Sequence, residues 1–293
     1  MKHPSVSAGF ALLGAFASLS GSLRADFTNP VAVASTAAPD YSEQKFAPGA
    51  TKPESYLFFQ GQFHGGTTRD PNLENAQFNQ IVKIIGENMA HQNYLPSKDP
   101  KEADLLIVVH WGTTTIYENP NRQDDLDRLN TLLAKYNAAI AAGKHPDPGP
   151  LNQAQMIEES EQAEIRKAIG INAELLGFRQ QINKDMAKGS ASSTGASTEG
   201  ADLINALSEE RYFVILMAYD FHTMKKGSTP KLLWSTRFSI RAAGISFTNA
   251  LPVMSKVAAN YFGRDLDGLK VENPTDAEGK VDVGTPTVVG NGK

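Results

Sequence analysis

The chain has 293 residues, 41% of them hydrophobic and 20% charged, with 28 Lys+Arg against 32 Asp+Glu. That balance excludes collagen-like, coiled-coil and wholly disordered classes, and it leaves no surplus of positive charge to neutralise nucleic-acid phosphates. Cysteine is absent, which excludes a disulfide framework, a thiol nucleophile, a thiolate zinc site and an acylated N-terminal Cys.

The N-terminus reads as an export signal. Lys2 and His3 form a short polar start, residues 8–19 are an apolar run rich in small side chains, and Leu23-Arg24-Ala25 follows a Ser/Gly break. About 12 apolar residues suit a signal-peptide core and fall short of the roughly 20 needed to cross a bilayer. Residues 1–25 are therefore expected to be a signal peptide cleaved near Ala25, with a periplasmic or secreted product. Loss of Lys2 and Arg24 leaves 26 basic against 32 acidic residues, a net charge of −6. No later segment is apolar for long enough to span a membrane.

Residues 26–55 carry Pro30, Pro39, Pro48 and Pro53 among Ala, Ser and Thr. They show neither a helical nor a strand period, so they read as an extended leader. Tyr56 to Phe63 is an aromatic strand closing on Gly65-Gly66. From Leu73 to Tyr94, Phe78, Ile81, Val82, Ile85 and Met89 fall on one helical stripe, with Asn72 as N-cap. Ala103 to Trp111 is a continuous apolar strand of the kind found in a sheet interior.

Residues 112–211 differ in character and read as a helical insertion. Leu126, Leu129, Leu133, Tyr136 and Ile140 mark one amphipathic helix, which ends at Gly143. A second is predicted from about Gln153 to Met186, weakened by Gly170 and Gly177. Residues 188–200 are a Ser/Gly/Thr linker, and 201–210 form a short helix. Tyr212 to Phe221 is the strongest strand in the chain. Across a Lys225–Pro230 turn it pairs with Leu232–Arg241, where Trp234, Phe238 and Ile240 alternate with Ser235, Arg237, Ser239 and Arg241, as a strand with one solvated face would. A last helix runs from about Asn249 to Phe262, and residues 264–293 read as a flexible tail.

The predicted fold is α+β: a mixed four-stranded sheet with two helices on one face and a helical insertion. Residues 56–111 and 212–263 would form one discontinuous domain, with the first two strands parallel.

These elements resemble a known family. The aromatic first strand, the helix ending in Asn93-Tyr94, the Ala103-Asp104 lead into a Leu/Ile/Val strand, the strand ending in Tyr219-Asp220-Phe221 and the partner strand with Leu233-Trp234-Ser235 are similar to the DUF4136 family of bacterial envelope proteins, usually lipoproteins of unassigned activity. The resemblance covers 108 of the 293 residues. It implies an envelope protein without known catalysis. The lipid-bearing Cys usual in that family is missing here, and the 100-residue insertion departs from its pattern.

Three histidines near strand ends, His64, His110 and His222, together with Asp220 would suit zinc or iron if they converged. The plainer account is structural: His64 and His222 flank turns, and His110 could bond a neighbouring carbonyl. Asp104 and Asp220 could form a carboxylate pair for acid–base work, although Asp at a strand end usually caps or holds a turn amide. Arg237 and Arg241 share the polar face of their strand and could bind an acidic partner. No nucleophile elbow, HExxH pair or phosphate loop occurs. The expectation is a non-enzymatic envelope-assembly or binding protein without a cofactor. Its partner would be an envelope protein engaged through the 112–211 insertion, or a second copy of the chain. The alternative is a metal-dependent hydrolase built on the histidines.

Overall fold

The computed structural model describes residues 29–49, 52–190, 198–274 and 288–291; the predicted signal peptide lies outside them. In chain order the elements are β1 (Val31–Ala37), α1 (Pro39–Lys45), β2 (Glu54–His64), α2 (Pro71–Glu74), α3 (Phe78–Met89), β3 (Tyr94–Pro96), β4 (Leu105–Thr113), α4 (Arg122–Ala141), α5 (Gly149–Leu176), α6 (Arg179–Ser190), α7 (Thr198–Ser208), β5 (Arg211–Asp220), α8 (Phe221–Lys225), β6 (Leu232–Arg241), α9 (Phe247–Ala258), β7 (Leu269–Glu272) and β8 (Val288–Asn291).

The fold is α+β around one mixed sheet, in the order β3-β2-β4-β5-β6-β1-β7, with β8 also pairing β2. β2 and β4 are parallel, and the β4/β5 and β5/β6 pairs are antiparallel. The sheet is larger than the predicted four strands. The principal correction is β1, which lies in the stretch expected to be an extended leader yet pairs β6 on one side and β7 on the other. Val31 to Ser35 are buried without alternation. Covered on both faces, such a strand has no period of two, and its small side chains read as loop composition. The tail is corrected likewise, because β7 and β8 both join the sheet, each in four residues and too short to show a period.

One face carries the main core. Tyr56 and Phe58 of β2, Ile107 and Val109 of β4, Val214 and Leu216 of β5, and Trp234 and Phe238 of β6 meet Ile81, Ile85 and Met89 of α3 and Leu251 and Met254 of α9. These are the two helices the apolar stripes require. The predicted single helix from Leu73 divides into α2 and α3, and Asp70 rather than Asn72 caps the start, its carboxylate accepting from the Asn72 N–H at 2.8 Å.

The opposite face is not the solvated surface that β6 suggested. Phe213, Ile215 and Ala32 meet Ala173 and Leu176 of α5, Phe178 and Leu207 in one cluster. Beyond them, Leu57 and Leu106 are covered by Phe221 and Met224 of α8. Ser235 and Ser239, the expected wet residues, are 2% and 1% exposed beneath this layer. Alternation of polarity marks the two faces of a strand, but here the polar face is covered by the packed helices of the insertion rather than by water.

The predicted long helix of the insertion is broken at Gly177, whose φ of +77° ends α5 and turns the chain into α6. A Cβ at Gly177 would lie 2.8 Å from the Ala34 Cβ on β1, so this bend also lets the helix backbone approach the sheet. The insertion therefore has two parts. The C-terminal end of α5, with α6 and α7, lies on the sheet. α4 packs along the N-terminal part of α5, and not one of its 20 residues is buried. These two helices form an arm.

Candidate functional site

The sequence-derived residues fall in three places. At the corner where β5 gives way to α8, Asp104 precedes β4 and Asp220 is the register partner of Leu105. The Asp104 carboxylate accepts from the Ser55 N–H and Oγ, each at 2.8 Å, and lies 3.1 Å from His222 Nε2. Burial pushes its carboxyl up, but the hydrogen bonds from Ser55 and His222 outweigh burial and hold it below the usual carboxylate range. Asp220 caps α8, accepting from the Thr223 N–H at 3.0 Å and Thr223 Oγ1 at 2.5 Å. Its carboxyl is also held low, against burial, by these bonds and the nearby His222. The structure thus brings Asp104, Asp220 and His222 together. Both carboxyls are ionised at neutral pH, so neither serves as a general acid. Ser55 gives its hydroxyl to the carboxylate rather than to the imidazole, so the arrangement lacks the order of a nucleophilic triad.

His64 and His110 lie elsewhere. His64 pairs Gly112, and His110 is two residues earlier on β4, so both side chains occupy the helix-poor strip of the second face. His110 is five strand residues from the Leu105 row beside His222, about 17 Å away, so the three histidines do not converge. A bulge in β2 between Gln60 and Phe63 seats the His110 ring against Gly61, where a Cβ would fall 2.9 Å from it. Nδ1 of His110 accepts from the Gln62 N–H at 3.0 Å. Burial, reinforced by His64 and Arg237, pushes His110 below the usual histidine range, and burial does the same for His64. Among the described residues no group of three His, Asp or Glu side chains is placed to hold a metal ion.

Arg237 and Arg241 are separated by their surroundings. Arg237 lies under the Gly177 bend, half-buried, and its Nε has no hydrogen-bond partner among the described residues. Burial lowers its pKa, opposed by the charge of Glu174. Arg241 is exposed, paired with Glu209 at 2.9 Å, and lines a cleft of about 440 Å³ with Thr68, Arg69, Asp70, Glu210 and Tyr212. In that cleft Tyr212 donates to Asp70 at 2.5 Å, and Glu210 accepts from the Thr68 N–H at 3.4 Å. Each carboxylate therefore already has a partner.

Sequence reasoning missed two polar features. Arg211 is 6% exposed; its guanidinium donates to the Ser239 hydroxyl and carbonyl, at 3.2 and 3.3 Å, and its backbone N–H to Thr114 Oγ1 at 2.9 Å. Burial pushes its pKa down to about 10, despite the charge of Glu209. The second feature is a 380 Å³ cleft between α4 and α5, lined by Tyr117, Arg128, Met156 and Glu161 among others. The amphipathic spacing of the helices predicted a seam there but not an opening beside it.

Together these observations define an α+β sheet protein whose polar side chains fall in separate clusters and which carries a helical arm whose α4 buries no residue. A scan against models of protein families finds no match to the chain, and a search of curated proteins finds none similar to it.

Proposed function

We propose that the protein is an exported, non-enzymatic accessory of the bacterial cell envelope, of the kind its resemblance to DUF4136-like proteins implies. Its sheet is a rigid platform, and it binds a protein partner of the envelope through the α4–α5 arm, without a cofactor. The observation that carries this reading is the exposure of the arm. α4 buries no residue, and Met156, at the mouth of the cleft beside Arg128 and Glu161, is 68% exposed. A helix so placed contributes little to the core, whereas an apolar group rimmed by opposite charges suits recognition of another protein.

The test is site-specific photo-crosslinking from position 156 of the intact chain, followed by fractionation of the cell envelope. A discrete adduct with a different envelope protein is expected, weakened by Arg128→Glu. Absence of any adduct from position 156, or an adduct of similar yield from an unrelated surface position such as Lys98, would overturn the assignment.

A further inference from the structure

On the second face of the sheet, β6 holds two buried polar atoms that no described residue bonds, Ser235 Oγ and Arg237 Nε. Ser235 is 2% exposed. Around Arg237 only burial and the charge of Glu174 are felt, and the Glu174 carboxylate is already held by Arg179 at 2.5 Å. Unmade donors in such a place are costly, the more so on a charged group, and call for an acceptor.

Register puts these two residues at the head of an apolar row. Ser235 pairs Met217 on β5, Met217 pairs Val108 on β4, and Val108 pairs Phe59 on β2. Directly paired residues share a face, so the row runs across the helix-poor strip for about 14 Å, three strand spacings. Met217, Val108 and Phe59 are all half-buried. Met217 packs against the cluster under the insertion and Phe59 against the cluster under α8, while Val108 belongs to neither. The row is the seam between the two covers.

Charge and polarity select what fits the seam. Arg237 pairs Ile215, which pairs His110. Burial, then His64 and Arg237, hold His110 below the usual histidine range, so its ring is neutral at pH 7. Because the charge of Arg237 acts on His110 across Ile215, the guanidinium lies near the seam. Arg237 therefore brings one fixed positive charge, and Glu174 disfavours more than one negative charge beside it. A carboxylate is a monoanion whose two oxygens match the guanidinium edge, whereas a phosphate monoester carries about −1.5 to −2. The apolar row then offers cover for a hydrocarbon tail.

We propose that this seam binds a linear aliphatic monocarboxylate, with Arg237 Nε and Ser235 Oγ donating to the carboxylate and the tail laid over Met217, Val108 and Phe59. The site is independent of the α4–α5 arm. Isothermal titration of the purified full chain with decanoate should show saturable binding. Decanol, with the same tail and no charge, and acetate, with the same head and no tail, should each bind at least tenfold more weakly. Arg237→Gln should weaken decanoate at least tenfold with unchanged circular dichroism, because it removes a charge that has no bonded partner. Should that variant unfold, labelling of the unmutated chain decides. Decanoate carrying a photoreactive diazirine at its tail end should mark the β2 or β4 peptide that holds Phe59 or Val108. No binding up to ~1 mM decanoate, equal affinity for decanol, a folded Arg237→Gln variant that binds as tightly, or labelling that misses β2 and β4, as in the cleft of Ile81, Ile84 and Leu251 between α3 and α9, would overturn the proposal.

Discussion

Gly177→Ala, at the C-cap of α5, and Gly170→Ala, seven residues earlier inside it, are the same chemical change, yet the structure gives them opposite signs. At Gly177 the chain is left-handed, with φ +77°. An L-residue there costs about 1 kcal/mol. The added methyl would lie 2.8 Å from the Ala34 Cβ and 3.2 Å from the Arg237 Cδ. Arginine can swing away, but the Ala34 Cβ is fixed to β1, so the helix must lift, at roughly 1–3 kcal/mol. Straightening α5 into α6 offers no relief, because it would draw Phe178, 1% exposed, off the sheet. The total expected is a loss of about 2–4 kcal/mol. Gly170 is helical with nothing within 4 Å of an added Cβ, so alanine there should stabilise by about 0.5–1 kcal/mol through its lower unfolded-state entropy. Urea denaturation followed by circular dichroism at low protein concentration measures both. A neutral or stabilising Gly177→Ala would mean that α5 and α6 are one continuous helix, as the sequence pattern suggested, and that the close approach to β1 is wrong.

Three further outcomes are expected. Asp104→Asn should cost roughly 1–3 kcal/mol at pH 7 through loss of charge-assisted hydrogen bonds; because the folded carboxyl titrates below its ordinary value, the native advantage is present above pH ~4 and lost as pH falls through the folded pKa, so the gap between the two proteins in denaturant should close below pH 4, and a gap constant down to pH 2 would refute the assignment. Tyr212→Phe removes the hydroxyl that donates to Asp70 and should cost about 1.5–3 kcal/mol, with an unchanged melting temperature as the contrary result. Amides of α4 should exchange with deuterium at least tenfold faster than those of β4 and β5, since α4 buries nothing while β5 is buried along most of its length; uniform protection would show that the arm is covered.

Legibility followed burial. β4, β5, β6, α3 and α9 could be read from the chain because each presents a long apolar pattern to one core, and their pairings followed from the hairpin turn and the helix between β2 and β4. β1 escaped because burial on both faces and the choice of Val and Ala erase the period that marks a half-buried strand. α5, α6 and α7 are legible as helices, and their weak apolar stripes call for something to pack on, but the Ser/Arg alternation of β6 reads as a solvated face and so does not mark it as the surface they cover. Asn172 ties the layer together, its Nδ2 donating to the carbonyls of Thr115 and Leu207 at 2.8 and 3.0 Å. Asp104 and His222, 118 positions apart, are adjacent only because β4 and β5 are neighbours. Spacing in sequence could list them among candidates but could not say that the two are bonded to each other.

The place of β1 has a consequence for when the molecule can acquire its native form. Ala32 pairs Ser239 and Val271, so one of the first ordered segments of the chain waits for partners more than two hundred residues downstream. During synthesis from the N-terminus, the sheet cannot close until the last quarter of the chain has emerged, and until then this strand has neither neighbour. Native structure is thereby deferred to the end of the chain's synthesis, which leaves a bare Val-Ala-Val-Ala stretch dependent on whatever shields it in the meantime.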